Sequence, residues 1–365
     1  MSDGGRLHRL FAEQGQSPWI DNLKRSLVSS GGLNRLIADG VRGLTSNPTI
    51  FQKAIQDSAD YDAQFDELRG QGCSATEIYW ALVRSDIRAA ADCFDSLYVS
   101  SGGGDGYVSV EVDPLLAHDS EATLAAARLL WTDFDRRNLM VKVPATPAGL
   151  PAIRSLIADG CNVNVTLIFS LDRYQQVMDA YIAGLSDRVA AGLDVSTVAS
   201  VASFFISRVD TEVDKRLEAI DTPAARDLGG RAAVAQGCLA YELFERTFSG
   251  PRWDRIAAAG GRVQRPLWAS TSTKNPRYPD TLYVDSLIGP HSVNTLPDAT
   301  LSAFADHGTV ARTVDRQYAA MHQVWSDLRT VGVDLDDVAA QLEREGVASF
   351  TASFVDLLDA LAAKI

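Results

Sequence analysis

The amino-acid sequence predicts an α/β fold, a (β/α)8 TIM barrel with additional helices. Eight short segments are rich in β-branched or aromatic residues, helix-like segments separate them, and turn-forming residues lie at their ends. Such alternation implies a parallel sheet with right-handed crossovers, and a count of eight favours closure into a barrel. An open, doubly wound sheet is the alternative fold.

The predicted strands follow one another along the whole chain. They are PWIDNL (18–23), VRGLTSN (41–47), YVSVEVDP (107–114), NLMVKVPA (138–145), NVTLIFS (164–170), SVASFFIS (200–207), PLWAST (266–271) and LYVDSL (282–287). The stretches 52–105 and 210–262 exceed the length of one crossover helix, and the tail 308–365 has a helical pattern. We therefore expect one barrel domain over residues 1–365, with helical insertions in the two stretches and a helical C-terminal tail.

Composition argues against several classes of protein. The chain has 365 residues and a formal net charge of −13, which disfavours binding to nucleic acid or to an anionic membrane. No stretch is long and apolar enough for a membrane span, and the first residues lack the apolar core of a signal peptide, so we expect a cytoplasmic protein. The four cysteines and five histidines show no disulfide or metal-ligand spacing, so we expect no metal.

Side chains alternate between an apolar and a more polar face along three consecutive predicted strands. A parallel strand that helices cover on both faces should be apolar throughout. In a closed barrel the apolar face packs on helices, so the second face points inward near the carboxyl ends of the strands, where barrel active sites lie. The residues of this second face are Ser109, Glu111 and Asp113 in the third strand, Met140 and Lys142 in the fourth, and Asn162, Asn164 and Thr166 in the fifth.

Burying such polar groups is costly unless they pair, so the inward face is either a reactive site or a structural polar network. Lys142 is the candidate nucleophile, because loss of hydration favours the neutral amine that attacks carbonyls. The alternative for Lys142 is a buried ion pair with Glu111. Asp21, Glu111 and Thr166 could supply acid–base groups and position a water for imine formation.

Further candidates could bind a substrate. Asn47 and Asn164 could bond its hydroxyl groups, or could be turn and strand-end residues. Arg208 directly follows the sixth predicted strand and Lys274 lies in a Ser/Thr-rich loop, and both side chains suit a phosphate group. Pairing of Arg208 with Asp210 is the alternative. No Gly-rich nucleotide fingerprint is present, because GGGDG at 102–106 precedes a strand instead of linking a strand to a helix.

Eight motifs, in their order along the chain, resemble the transaldolase family. They are SPWIDNLKR, GLTSNPTIF, VSVEVDP, LMVKVPAT, NVTLIFS, SFFISRVD, ASTSTKNP and VNTLPDATL. The resemblance implies a class I aldolase barrel that needs no cofactor. It also implies transfer of a dihydroxyacetone unit from sedoheptulose 7-phosphate or fructose 6-phosphate to glyceraldehyde 3-phosphate or erythrose 4-phosphate, in the non-oxidative pentose phosphate pathway. We expect these sugar phosphates to be its binding partners, and we expect the protein to be a monomer or a homodimer.

The resemblance implies roles for four catalytic residues. Lys142 resembles the Schiff-base lysine of the family, and Glu111 resembles the acid–base residue that acts through a water. Thr166 resembles the residue that helps to hold this water. Asp21 resembles the group that handles the proton of the hydroxyl whose C–C bond is cleaved.

It also implies roles in substrate binding. Asn47, Asn164 and Ser203 resemble the residues that bind the dihydroxyacetone part, and Arg208 resembles a phosphate-binding arginine. Many transaldolases have a short ASFRN-like segment where this chain has the longer ASTSTKN, so Lys274 is the expected replacement for the second phosphate contact. Two alternatives stay open: a related enzyme that acts on another sugar phosphate in a specialised pathway, and a non-catalytic barrel that binds a sugar phosphate.

The expected chemistry needs no metal, because an iminium replaces a Lewis acid as the electron sink. Exhaustive treatment with EDTA should therefore leave the turnover of fructose 6-phosphate with erythrose 4-phosphate unchanged. A loss of activity that added zinc restores would contradict the Schiff-base hypothesis.

Overall fold

A closed barrel of parallel strands forms the centre of the protein, in a computed structural model that describes residues 5–365. The first strand pairs with both the second and the eighth, which confirms the predicted (β/α)8 barrel and excludes the open sheet. The strands are β1 (Gln16–Ile20), β2 (Gly43–Thr45), β3 (Tyr107–Glu111), β4 (Leu139–Pro144), β5 (Val163–Ile168), β6 (Ser200–Phe205), β7 (Arg265–Ala269) and β8 (Ser292–Leu296).

Helices surround the barrel and fill the long stretches between strands. They are α1 (Arg6–Gln14), α2 (Arg25–Ser29), α3 (Gly32–Ala38), α4 (Pro48–Gln56), α5 (Asp62–Gly70), α6 (Ala75–Ser100), α7 (Ser120–Phe134), α8 (Gly149–Asp159), α9 (Leu171–Ala190), α10 (Ser207–Ile220), α11 (Pro223–Arg226), α12 (Ala232–Thr247), α13 (Pro251–Ala258), α14 (Leu282–Asp285), α15 (Asp298–His307), α16 (Tyr318–Thr330) and α17 (Leu335–Ala362). Within residues 5–365, no helix is long and apolar enough to cross a membrane.

Capping side chains explain where several of these helices begin. Asn47 precedes α4, and its side chain accepts a hydrogen bond from a backbone N–H of the first turn. Ser74 and Glu77 form a reciprocal capping box at the start of α6. Ser170 accepts a hydrogen bond from the Arg173 backbone N–H at 3.1 Å at the start of α9. Each cap bonds a backbone donor that the helix itself leaves unpaired.

The predicted eighth strand, LYVDSL (282–287), is wrong. Leu282–Asp285 forms the short helix α14, and Tyr283, Val284 and Leu287 are all buried. A strand would point Tyr283 and Val284 to opposite faces, whereas a helical turn brings all three to one side. The eighth strand is β8, which pairs along its whole length with β1. Its sequence, SVNTL, is short and mostly polar, so apolar content does not reveal it.

A charged network closes the amino-terminal end of the barrel. Asp105 lies shortly before β3, and its side chain is only 1% exposed. Its carboxylate accepts hydrogen bonds from Arg42 Nε at 2.6 Å, Ser17 Oγ at 2.8 Å, Arg265 Nη2 at 3.1 Å and Trp19 Nε1 at 3.2 Å. These donors belong to β1, to the residue before β2 and to the first residue of β7. One carboxylate thus ties several strands together at this end.

The C-terminal helix covers part of the opposite end. Helix α17 packs against α4, α6 and β5. Gly346 permits this close approach, because a Cβ atom there would lie 3.0 Å from Leu167 Cδ2. Leu167 has a φ of 60°, and the register between β5 and β6 shifts between Val165 and Ile168. The regular alternation along β5 therefore ends after Thr166.

Replacing Asp105 should destabilise the whole barrel. Asp105→Ala leaves Arg42 and Arg265 without a carboxylate in a largely buried site, and we expect the free energy of unfolding to fall by about 3–5 kcal/mol. Urea-induced unfolding followed by circular dichroism measures this loss. Asp95→Ala is the matched control, because it breaks an exposed ion pair with Arg137 and should cost less than about 1 kcal/mol. Equal losses in the two variants would contradict the proposed role of the network.

Candidate active site

Lys142 and Glu111 form a buried pair at the carboxyl end of the barrel. The strand register places Glu111 of β3 beside Lys142 of β4, and their side chains are 2% and 5% exposed. The amine Nζ lies 3.2 Å from Glu111 Oε2 and donates a hydrogen bond to the Ser46 carbonyl oxygen at 3.2 Å. Burial raises the pKa of the Glu111 carboxyl, and the charge of Lys142 opposes that rise. The buried ion pair that the sequence left as an alternative is therefore present.

Buried oxygens of Glu111 and of the nearby Thr166 have no hydrogen-bond partner among residues 5–365. Within residues 5–365, neither carboxylate oxygen of Glu111 has a bond of suitable geometry, so its contact with Lys142 is electrostatic. The Thr166 hydroxyl on β5 is also buried without a partner. Buried polar atoms are normally bonded, so these groups retain the capacity to bond a ligand or a water.

Asn164 joins three strands inside the barrel. Its Nδ2 donates to Ser109 Oγ of β3 at 3.0 Å, and its Oδ1 accepts from Ser203 Oγ of β6 at 2.7 Å. The strand register sets Asn164 beside Lys142. These bonds hold the Asn164 amide in one orientation and bring the predicted Ser203 to the same site.

Asp21 directly follows β1 and lines the same cavity as Lys142. Its Oδ1 accepts a hydrogen bond from Thr45 Oγ1 at 2.7 Å. The carboxyl is partly exposed, but the surrounding protein removes most of its hydration, and this burial raises its pKa. Lys142 and Thr45 oppose the rise, whereas the charge of Asp298 adds to it. A carboxylate with a raised pKa is a better proton acceptor than an ordinary aspartate.

These groups surround a cavity of about 150 Å³. Three predicted residues, Glu111, Asn164 and Thr166, are buried behind its lining. The predicted residues that line it are Asp21, Asn47, Lys142, Ser203, Arg208 and Lys274. The lining also contains residues that the sequence did not indicate, namely Thr45, Phe205, Ser270, Ser272, Thr295 and Phe350. Phe350 comes from α17, and its ring centroid lies 5.7 Å from Lys142 Nζ.

Arg208 and Lys274 place two cations at the cavity. Within residues 5–365, no acidic side chain lies within ion-pair distance of Arg208, whose guanidinium lies 5.3 Å from the Phe205 ring centroid. The alternative pairing with Asp210 is wrong, because Asp210 accepts bonds from the Tyr283 hydroxyl and a backbone N–H of α12. Burial, followed by the charge of Arg208, lowers the pKa of Lys274. The two cations repel each other, and an anion between them would remove that repulsion.

Asn47 caps a helix and also lines the cavity. Its Oδ1 accepts a hydrogen bond from the Ile50 backbone N–H at 3.0 Å, which caps α4. Its side chain also lines the cavity, where the amide Nδ2 can donate to a ligand.

Metal ligands do not gather in the described part of the chain. Among residues 5–365, no group of three or more His, Cys, Asp and Glu side chains is arranged to hold a metal ion. The four cysteines are free thiols. The site offers a lysine, carboxyl groups, amides and hydroxyls.

Comparison with known proteins shows what the chain is similar to. A family profile described as Transaldolase/Fructose-6-phosphate aldolase matches residues 18–361. A transaldolase of Parafrankia sp. (strain EAN1pec) is 53% identical over 95% of this chain and 95% of its own length. A transaldolase of Saccharopolyspora erythraea is 52% identical, over 95% of this chain and 94% of its own. A transaldolase of Thermobifida fusca is 50% identical over 99% of both chains.

The two cations should bind inorganic phosphate. Phosphate should raise the melting temperature in differential scanning fluorimetry relative to chloride at equal ionic strength, because a ligand of the folded state stabilises it by mass action. Arg208→Ala should remove most of this shift. Arg255→Ala, which changes an exposed arginine on α13, should keep it. A full shift in the Arg208→Ala protein would show that phosphate binds elsewhere.

Proposed function

Because the chain belongs to the transaldolase/fructose-6-phosphate aldolase family, we propose that it transfers a dihydroxyacetone unit between sugar phosphates through a Schiff base on Lys142. The donor is sedoheptulose 7-phosphate or fructose 6-phosphate, and the acceptor is glyceraldehyde 3-phosphate or erythrose 4-phosphate. The observation that carries this proposal is the buried contact of Lys142 with Glu111 at a cavity that also holds two cations, neither of which forms an ion pair within residues 5–365. A carbonyl and a phosphate of one substrate would each meet a suitable group there.

The first step makes the amine nucleophilic. Transfer of one proton from Lys142 Nζ to Glu111, across a contact of 3.2 Å, leaves a neutral amine and a neutral carboxylic acid. Burial favours this neutral pair, since it raises the pKa of Glu111. The amine attacks the ketose C2 to form a carbinolamine. Glu111, acting through a water that the Thr166 hydroxyl holds, then protonates the departing hydroxyl and leaves an iminium.

The second step breaks the C3–C4 bond. Asp21 removes the proton of the C4 hydroxyl, the electron pair of the C3–C4 bond flows into the iminium, and the aldose leaves. The dihydroxyacetone part stays on Lys142 as an enamine. Asn47, Asn164 and Ser203 bond its hydroxyl groups, and Asn164 is held in place for this by Ser109 and Ser203. Attack of the enamine on a second aldose reverses these events.

The substrate phosphate lies between Arg208 and Lys274. The Arg208 guanidinium, which forms no ion pair with residues 5–365, can bond a phosphate in bidentate fashion, and the Lys274 ammonium adds a point charge. Phe350 of α17 reduces the exposure of the Lys142 amine, and exclusion of water keeps the enamine from being protonated before an acceptor arrives.

The wider setting follows from the same proposal. The predicted domain of residues 1–365, of which residues 1–4 lie outside the described part of the chain, acts as one barrel with helical insertions in the non-oxidative pentose phosphate pathway. Free thiols at all four cysteines support a reducing cytoplasmic location. The barrel closes within one chain, so either a monomer or a homodimer can be active.

Trapping of the covalent intermediate tests the proposal. Borohydride added with fructose 6-phosphate should reduce the iminium and leave a stable three-carbon adduct, which peptide mapping should assign to Lys142. Lys142→Ala should abolish both trapping and turnover. Lys142→Arg should be equally inactive, because a guanidinium stays protonated and cannot attack a carbonyl.

Controls separate loss of the nucleophile from loss of the fold. The circular dichroism spectrum of Lys142→Ala should match that of the parent, because protonation of Glu111 relieves the cost of leaving it unpaired. Lys215→Ala, which changes an exposed lysine on α10, should keep parental trapping and turnover. Adduct on another lysine, or near-normal turnover in Lys142→Ala, would overturn the proposed function.

A further inference from the structure

Two buried threonines form a chain of hydroxyl groups that ends on Asp21. Thr295 Oγ1 of β8 lies 2.6 Å from Thr45 Oγ1 of β2, and Thr45 Oγ1 lies 2.7 Å from Asp21 Oδ1. Thr45 is 1% exposed and Thr295 is 2% exposed, so water does not compete for these bonds. Strand β1 pairs with both β2 and β8, so barrel closure brings the three side chains together.

The chemistry of the three groups determines which hydroxyl donates in each of these hydrogen bonds. An ionised carboxylate can only accept hydrogen bonds, so the single proton of the Thr45 hydroxyl goes to Asp21 Oδ1. Thr45 can then only accept from Thr295, which makes Thr295 the donor. Each bond polarises the next, and a chain that ends on a charge is stronger than an isolated hydroxyl bond. Within residues 5–365, no protein group donates to Asp21 Oδ2.

We propose that Thr45 and Thr295 are positioning residues that engage Oδ1 of Asp21 and so reserve Oδ2 as the atom that takes the proton of the substrate C4 hydroxyl. The inference rests on the proposed function, in which Asp21 is that base. In the cleavage step the C4 hydroxyl proton moves to Oδ2, and the electron pair of the broken C3–C4 bond moves into the iminium. Thr45 and Thr295 keep their own protons throughout. The Asp21 backbone N–H donates to the Leu296 carbonyl oxygen at 2.9 Å, which adds a second link to β8.

The charges around Asp21 do not change when these hydroxyls are removed. Lys142 favours the ionised carboxyl, whereas the charge of Asp298, which Asn22 bonds at 2.7 Å, disfavours it. Replacement of threonine by valine keeps the shape of the side chain and removes only the hydroxyl. Lys142, Arg208 and Lys274 line the active-site cavity with Asp21, and Glu111 lies behind Lys142. A second cavity, which Asp21 also borders, is lined by the charged residues Asp298, Lys24, Arg25, Lys53, Asp57 and Asp60.

Kinetics of threonine variants test the inference. Thr45→Val should lower kcat about 10- to 100-fold, because it removes a hydrogen bond to a charged group. Thr295→Val should lower kcat by a smaller factor, about 3- to 10-fold, because it acts through Thr45. Both should change KM for fructose 6-phosphate little. Thr45→Ser and Thr295→Ser restore the hydroxyl and should recover most of the activity.

The pH profile separates positioning from a structural role. The Thr45 hydroxyl stabilises the ionised carboxyl, so its loss raises the pKa of Asp21 and leaves the base protonated up to a higher pH. The acid limb of kcat/KM should therefore move to higher pH in both valine variants. Adding Thr295→Val to Thr45→Val should cost nothing further, because Thr295 acts only through Thr45. An additive loss, or an acid limb at its parental pH in both variants, would overturn the inference.

Two control variants distinguish failure of the proposed role of Asp21 from failure of the positioning inference. Thr123→Val removes a buried hydroxyl of α7, which donates to the Leu116 carbonyl oxygen and does not line the active-site cavity, and should lower the melting temperature without moving the acid limb. Asp21→Asn should stop cleavage but not iminium formation, so borohydride should trap a six-carbon adduct on Lys142. A three-carbon adduct with normal turnover in Asp21→Asn would refute the proposed role of Asp21. A six-carbon adduct combined with parental behaviour of the threonine variants would refute the positioning inference alone.

Discussion

The desolvated pair of Lys142 and Glu111 is the interaction on which the rest of the site depends. Two ionisable groups removed from water are costly unless each meets a partner, and the register of β3 and β4 provides that partner. Among residues 5–365, no protein group bonds the Glu111 oxygens with suitable geometry. In the proposed function, this carboxylate exchanges a proton with the amine beside it. Incomplete satisfaction at a buried position therefore favours reactivity.

Carboxylates at the two ends of the barrel differ in how many hydrogen-bond donors surround them. At the amino-terminal end, Asp105 accepts bonds from two arginines, a serine and a tryptophan, and so joins several strands. At the carboxyl end, Glu111 and Asp21 have few donors and raised pKa values. The number of donors, more than the depth of burial, separates a carboxylate that stabilises the fold from one that can move a proton.

The two cations at the cavity are opposite in sign to the net charge of the protein. The protein carries a net charge of −13, which repels a phosphorylated substrate at long range. Salt screens that repulsion beyond about 8 Å, so contacts inside the cavity decide binding. Arg208 and Lys274 lie there and form no ion pair within residues 5–365, and an anion bound between them would relieve their mutual repulsion. Asp210, the acid nearest to Arg208 in sequence, is bonded by Tyr283 instead.

The sequence by itself predicted the barrel, the family and the shared face of Lys142, Glu111 and Asn164, because successive side chains along a strand point to opposite faces. It did not reveal β8, whose SVNTL is too short and polar to stand out, nor Phe350, which reaches the site from a helix more than two hundred positions along the chain from Lys142. It also left open whether Arg208 pairs with Asp210, and it gave no sign of the link from Thr295 through Thr45 to Asp21. Only the tertiary structure decided these contacts, because they depend on closing β1 against β8 and on packing α17 over the barrel, and both join residues that no local pattern connects.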